Sequence, residues 1–265
     1  MPEFSAQFDP APFEALDQLA LLASQDYNLG GAGDWFDEFR GGLDGFHARL
    51  YGVQRHYFEV HAWLPRVRIS TDTEYHLASI LFQMDSALEC LTFALNSLGW
   101  VVMPAGFRDV TDAKALKRIS PLDILGDATS PPLAGYQQVF PTMQAAWQNE
   151  AQLIAQVRDL HDVSKHRRTI FVGGQARSDP PNGFFEALGL PQDARRCVPL
   201  WPMAEIILNA DPKLPAVHRT PRPVRHGELL EDLVPSFAAL IETTGTVALG
   251  DAQASVPLKE KRLRG

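Results

Sequence analysis

The clearest periodic signal lies at residues 74–98, where Leu77, Leu81, Met84, Leu88, Leu91, Leu95 and Leu98 recur every three or four positions and form one apolar stripe. The spacing predicts a helix whose start is capped by Asp72 or Thr73 and whose end is closed by Gly99. A second helix is predicted over 136–166, where Val139, Met143, Trp147, Ile154 and Val157 share a face that His161 continues. Pro141 falls in its first turns, where a missing backbone N–H is tolerated. Weaker helical patterns cover 12–24, 43–62 and 228–243. A stripe as long as Leu77 to Leu98 needs partner helices to bury it, so the pattern predicts a mainly α fold, a bundle of four to five helices.

Between the two strong helices runs a connection rich in Pro, Gly and Asp, 99–135, with one short helical candidate at 111–119. Connections of that length often cover or line a site. After Arg168 the pattern changes. Thr169 to Val172 reads as a short strand, Gly173 and Gly174 as its turn, and the nine prolines of 178–225 as an extended tail laid over the bundle. The predicted organisation is one domain over 1–265: an acidic N-terminal arm at 1–42, a helical core at 43–168, and an extended tail with a C-terminal helix at 169–265.

Composition narrows the class. With 45% hydrophobic and 21% charged residues in 265, the chain excludes a disordered or rod-like protein. Its net charge of −8 is concentrated at one end: residues 1–40 hold eight acidic residues against Arg40 alone, a net −7, which leaves −1 for the rest. That acidic start fits neither a secretory nor a mitochondrial leader, and with only Cys90 and Cys197 as thiols a cytoplasmic protein is expected. The uncharged run from Cys90 to Phe107 is interrupted by Asn96, Ser97, Gly99 and Pro104, so it reads as a buried helix end rather than a membrane span.

Chemistry-bearing residues are densest at 158–168. On a helix Arg158, His161, Asp162 and Lys165 share a face, and Asp162 and His166 form an i,i+4 pair. A carboxylate beside a histidine fixes its tautomer and suits it to acid/base work, whereas cations at a helix C-terminus also simply complement the helix dipole. Basic residues recur in 158–177 and 195–226, which could meet phosphate or the acidic arm. No phosphate loop or nucleophile elbow appears, and Ser164 lies in no elbow motif.

A long apolar helix carrying an acidic residue near its middle, then a later helix ending in a D-KHR signature, a short strand and a Pro-rich tail, resembles the HEPN-like helical bundles of bacteria. The matching parts are Glu74-Tyr-His-Leu77 through Asp85-Ser-Ala-Leu-Glu89, and Leu160-His-Asp-Val-Ser-Lys-His-Arg167; the resemblance covers about residues 43–172. It implies a metal-independent ribonuclease or RNA-binding protein of defence or toxin–antitoxin systems, without cofactor, working as a homodimer. On that reading Lys165, His166 and Arg167 stabilise a phosphate while His161 or His166 moves protons, with Arg158, Asp162, Glu74 and Asp85 supporting the site. The chain departs from the nuclease pattern, in which a His follows the Arg by four to six residues: His161 and His166 are separated from Arg158 by two and seven.

Two other readings stand beside it. In the first, the same residues cap a helix, Lys165, His166 and Arg167 being held by Glu74 or Asp85 because an unpaired buried charge costs several kcal/mol, and the protein is a non-enzymatic interaction or regulatory module with a protein partner. In the second, Asp162 and His166 are similar to a ligand pair of heme-oxygenase-like di-iron oxidases, and the chain further offers His56 and Glu59 in reversed order, Glu59 and His61 at the wrong spacing for one helix face, and Glu74, Asp85 and Glu89. The complementary Glu with a His seven residues on is missing, since Leu81 stands seven after Glu74.

Overall fold

The apolar stripes read from the sequence are buried in helices, but several helix ends differ from those the spacing predicts. In a computed structural model of the chain, residues 8–27, 34–63, 71–127, 129–166, 232–256 and 258 are described. Among them are nine α-helices and no strand: α1 (Ala11–Tyr27), α2 (Trp35–Trp63), α3 (Thr71–Val102), α4 (Ala113–Leu116), α5 (Leu122–Leu125), α6 (Ala134–Val139), α7 (Pro141–Asn149), α8 (Ala151–His166) and α9 (Val234–Ser255). The mainly α, bundle-like class is as expected. The predicted strand at 169–172, its turn and the tail at 178–225 lie outside the described residues.

Local sequence explains most of the boundaries. Asp9 accepts from the Ala11 N–H at 3.0 Å and Asp34 from the Phe36 N–H at 3.1 Å, so two acids of the N-terminal stretch cap α1 and α2. Arg40 pairs with Asp17 at 3.2 Å. α3 runs past its expected end at Gly99 to Val102, where Met103 still donates to the Gly99 carbonyl at 2.9 Å and Pro104 opens a single 3-10 turn. The helix expected over 136–166 is instead three. Phe140, preceding Pro141, sits at φ −126°, ψ 53°, because the proline ring crowds the helical conformation out of the residue before it. A second break falls at Glu150, at φ −103°, ψ 17°. The short candidate at 111–119 shrinks to the one turn of α4, capped by Asp112.

By internal contacts the chain divides into two compact units, one of residues 1–51, 84–154 and 237–265, the other of 52–83 and 155–236. The first is built around fully buried aromatic residues. Phe13 of α1 meets Phe46 of α2 at 4.7 Å between ring centroids. A Cβ on Gly42 of α2 would lie 2.8 Å from the Ala94 nitrogen of α3, so only a glycine lets these two backbones approach so closely. α9 is tied to α6 and α7 by two buried polar contacts and one part-buried one: Trp147 Nε1–H donates to Thr244 Oγ1 at 2.9 Å, the Met143 N–H to Asp251 Oδ2 at 2.9 Å, and, part-buried, Ser255 Oγ to the Val139 carbonyl at 3.0 Å.

The long connection after α3 belongs to this unit and is closely organised. Asn96 of α3 holds the Arg108 backbone by both ends, accepting from its N–H and donating to its carbonyl, each at 2.9 Å. The Arg108 guanidinium grips Asp123 of α5 through Nη2 at 2.6 Å and Nε at 3.2 Å, and this partner raises the arginine's already high pKa. Gly126, at φ +72°, ends α5 in a conformation that side chains disfavour.

In the second unit the last turns of α2, the first turns of α3 and the length of α8 after residue 154 bury Val53, Leu77, Ile80, Leu81, Val157 and His161. Tyr75–Val102, within α3, is long and apolar enough to cross a membrane by length and composition, and its stripe from Leu77 to Leu98 is buried inside the fold.

Candidate functional site

α8 carries most of the cluster predicted to do chemistry. Its period sets Ile154, Val157 and His161 on the buried side. His161 is only 5% exposed, and its ring meets Phe82 of α3 edge to face, 5.4 Å between centroids at 66°. Arg158 is exposed and Asp162 half-buried. The spacing that sets Arg158, His161 and Asp162 near one another thus resolves into a buried imidazole with polar neighbours closer to solvent. Ser164 donates its hydroxyl to the His161 carbonyl at 2.8 Å, a contact within its own helix.

Lys165 and His166 form the last turn of α8 and Glu74 lies in the first turn of α3, but their side chains are outside the described residues, as is the whole of Arg167. The expected pairing of Lys165, His166 and Arg167 with Glu74 or Asp85 falls there too, together with the basic stretch 195–226. Asp85 itself is buried in α3, 7% exposed.

The histidines that do meet are others. His56 of α2 and His76 of α3 face each other with their Nδ1 atoms 2.9 Å apart. Tyr75, 61% exposed, sets its ring edgewise against both, at 5.9 Å from His56 and 5.2 Å from His76. Burial, and then the facing His76, hold the His56 imidazole below the ordinary histidine range, against the opposing pull of Glu59. Glu59 is itself engaged by Arg55 at 2.7 Å, one helical turn away. Twenty positions separate the two histidines, so no spacing rule applied to either helix alone brings them together; the signal available was the antiparallel path of two consecutive long helices.

Among the described residues no group of three or more His, Cys, Asp or Glu side chains is placed to hold a metal ion. Cys90, half-buried on α3 beside Gly45 and Arg49, has its thiol pushed up by burial, which suppresses the reactive thiolate. Compared with models of known protein families, with curated proteins and with solved structures, the chain matches none.

Proposed function

We propose that the protein is a HEPN-like helical module that acts by binding a partner protein rather than by cutting RNA. The burial of His161 carries this reading. A general base has to come within about 2.6–3.2 Å of the proton it removes. His161 lies on the apolar side of α8 with Ile154 and Val157, edge-on to Phe82 and 5% exposed, where a phosphodiester cannot reach it without displacing the helix. Its position continues the hydrophobic stripe and serves packing. The departure from the nuclease spacing around Arg158 supports the same reading, and the missing Glu with a His seven residues on weighs against a di-metal oxidase.

The test is incubation of the pure full-length protein with total RNA, with and without EDTA. The RNA is expected to stay intact in both. Metal-independent cleavage that disappears in His166→Ala would overturn the proposal and restore the nuclease reading.

A further inference from the structure

We propose that His56 and His76 form a proton-sharing latch between α2 and α3, which stays closed when neutral or singly protonated and opens when it takes up a second proton. A nitrogen pair at 2.9 Å is at hydrogen-bond distance. Two bare lone pairs would repel there, and so would two N–H groups, so one Nδ1–H donates and the other Nδ1 accepts. The two neutral rings are therefore in opposite tautomers, one carrying its proton on Nδ1 and the other on Nε2.

The bond is straight. The ring centroids lie 5.2 Å apart, which exceeds the nitrogen separation of 2.9 Å by about the two centre-to-nitrogen radii, the most that geometry allows, so both Nδ1 atoms stand close to the line joining the ring centres. This geometry separates a proton bridge from a metal clasp. An ion held at about 2.0–2.1 Å from each imidazole nitrogen would need both lone pairs turned toward a point off that line.

Proton counting then fixes the behaviour. The donor ring has a bare Nε2 outside the bridge, and the first added proton goes there. The bridge survives it and becomes charge-assisted, which shortens and strengthens it. Only the accepting Nδ1 remains for a second proton. Taking it up replaces the acceptor by a second donor and sets two imidazolium charges against each other. Beside His56 stand Arg55 and Glu59 of α2, which pair with one another, and Tyr75 of α3 lies against both rings. Glu59, the carboxylate beside His56, is already shared with Arg55, so its charge is partly spent before a second imidazolium forms. The depression of His56 by burial and by His76 agrees in direction. Because the Tyr75 ring rests against both imidazoles, opening the latch also shifts an aromatic side chain that is 61% exposed.

Long-range proton–nitrogen correlation spectra of the full chain with labelled histidines, recorded from pH 8 down to pH 4.5, test this. At the high end one of the two rings should be in the Nδ1–H tautomer. On acidification the pair should take up protons in two steps more than about tenfold apart in affinity, the mark of coupled sites. In His76→Gln, whose amide can still bridge, His56 should titrate in a single step closer to the ordinary histidine range. Both rings in the Nε2–H tautomer and titrating independently would overturn the latch. So would Ni²⁺ or Cu²⁺ binding at micromolar concentration to both Nδ1 atoms, which would identify a metal clasp.

Discussion

Gly99 offers the sharpest separation of two physical accounts of one residue. Read from the sequence it is a helix stop; in the fold it is an interior residue of α3 that makes room for a ring. A Cβ at Gly99 would lie 2.6 Å from Phe107 Cε2, and one at Gly135 would lie 2.6 Å from Phe107 Cδ2, so the Phe107 ring is held between two glycines, with Tyr136 4.9 Å away between centroids. Two opposing effects follow for Gly99→Ala. Alanine favours the helix over glycine by about 0.8–1.0 kcal/mol. Forcing a methyl into a filled site costs about 1–3 kcal/mol. The net result in the wild-type background is a loss of about 1 kcal/mol, or roughly 2–4 °C in melting temperature for a chain of this size.

Removing the ring reverses the sign. Phe107 is 7% exposed, and Phe107→Ala should cost about 3–5 kcal/mol on its own. In that background the clash is gone, the helical preference remains, and Gly99→Ala should stabilise by up to about 1 kcal/mol. Urea unfolding of the four proteins at 25 °C gives the coupling directly, expected at about 1–3 kcal/mol; Phe107→Leu can replace the alanine variant where more residual stability is wanted. A glycine that merely ended the helix in a left-handed conformation would resist alanine by the same amount whether or not the ring is present. Equal losses in both backgrounds would therefore refute the reasoning.

Arg108→Ala takes the guanidinium away from Asp123, which is 5% exposed and is left with the Ser120 N–H at 3.3 Å, and should cost about 2–4 kcal/mol, while Arg108→Met combined with Asp123→Leu should recover most of it, as measured by thermal unfolding. Because the folded state holds His56 below its unfolded value of about 6.5, the stability it contributes is present above that pH and lost as the pH falls through the depressed value; His56→Gln should flatten the slope of unfolding free energy against pH in that window. The HEPN-like resemblance carries an expectation of paired chains, so light scattering should report twice the single-chain mass, and 29.4 kDa would count against pairing.

How far the fold is legible in the sequence depends on the range of the signal. All seven stripe residues from Leu77 to Leu98 are buried, and so are Val139, Met143, Trp147, Ile154 and Val157. An apolar period registers which face of a helix turns inward. It is insensitive to the dihedral angles of a single residue, and so it runs unbroken through Phe140 and Glu150, where the backbone leaves the helix. The connection 99–135 looks structureless because its order comes from Asn96 gripping Arg108 and Arg108 gripping Asp123, contacts across twelve and fifteen positions that leave no periodic trace.

For the site, two local readings of one residue compete, and burial decides between them. His161 extends the stripe of Ile154 and Val157, and it also heads a polar cluster with Asp162 and Lys165. Periodicity concerns solvent, which every residue meets, whereas a cluster of functional groups says nothing about which of them is accessible; the stripe is the stronger constraint, and His161 is 5% exposed. The His56–His76 pair escapes both readings, because each histidine alone is an ordinary half-buried side chain on an amphipathic helix. What finds it is register. In their unit Gly52 of α2 lies against Gln83 of α3. An antiparallel pair counted from there sets position 56 opposite 79, one helical turn from 76, within reach of an imidazole. The chemistry of the pair is thus a property of how two helices are aligned, and a change that slides one past the other by a turn should abolish the shared proton while leaving every residue of the pair in place.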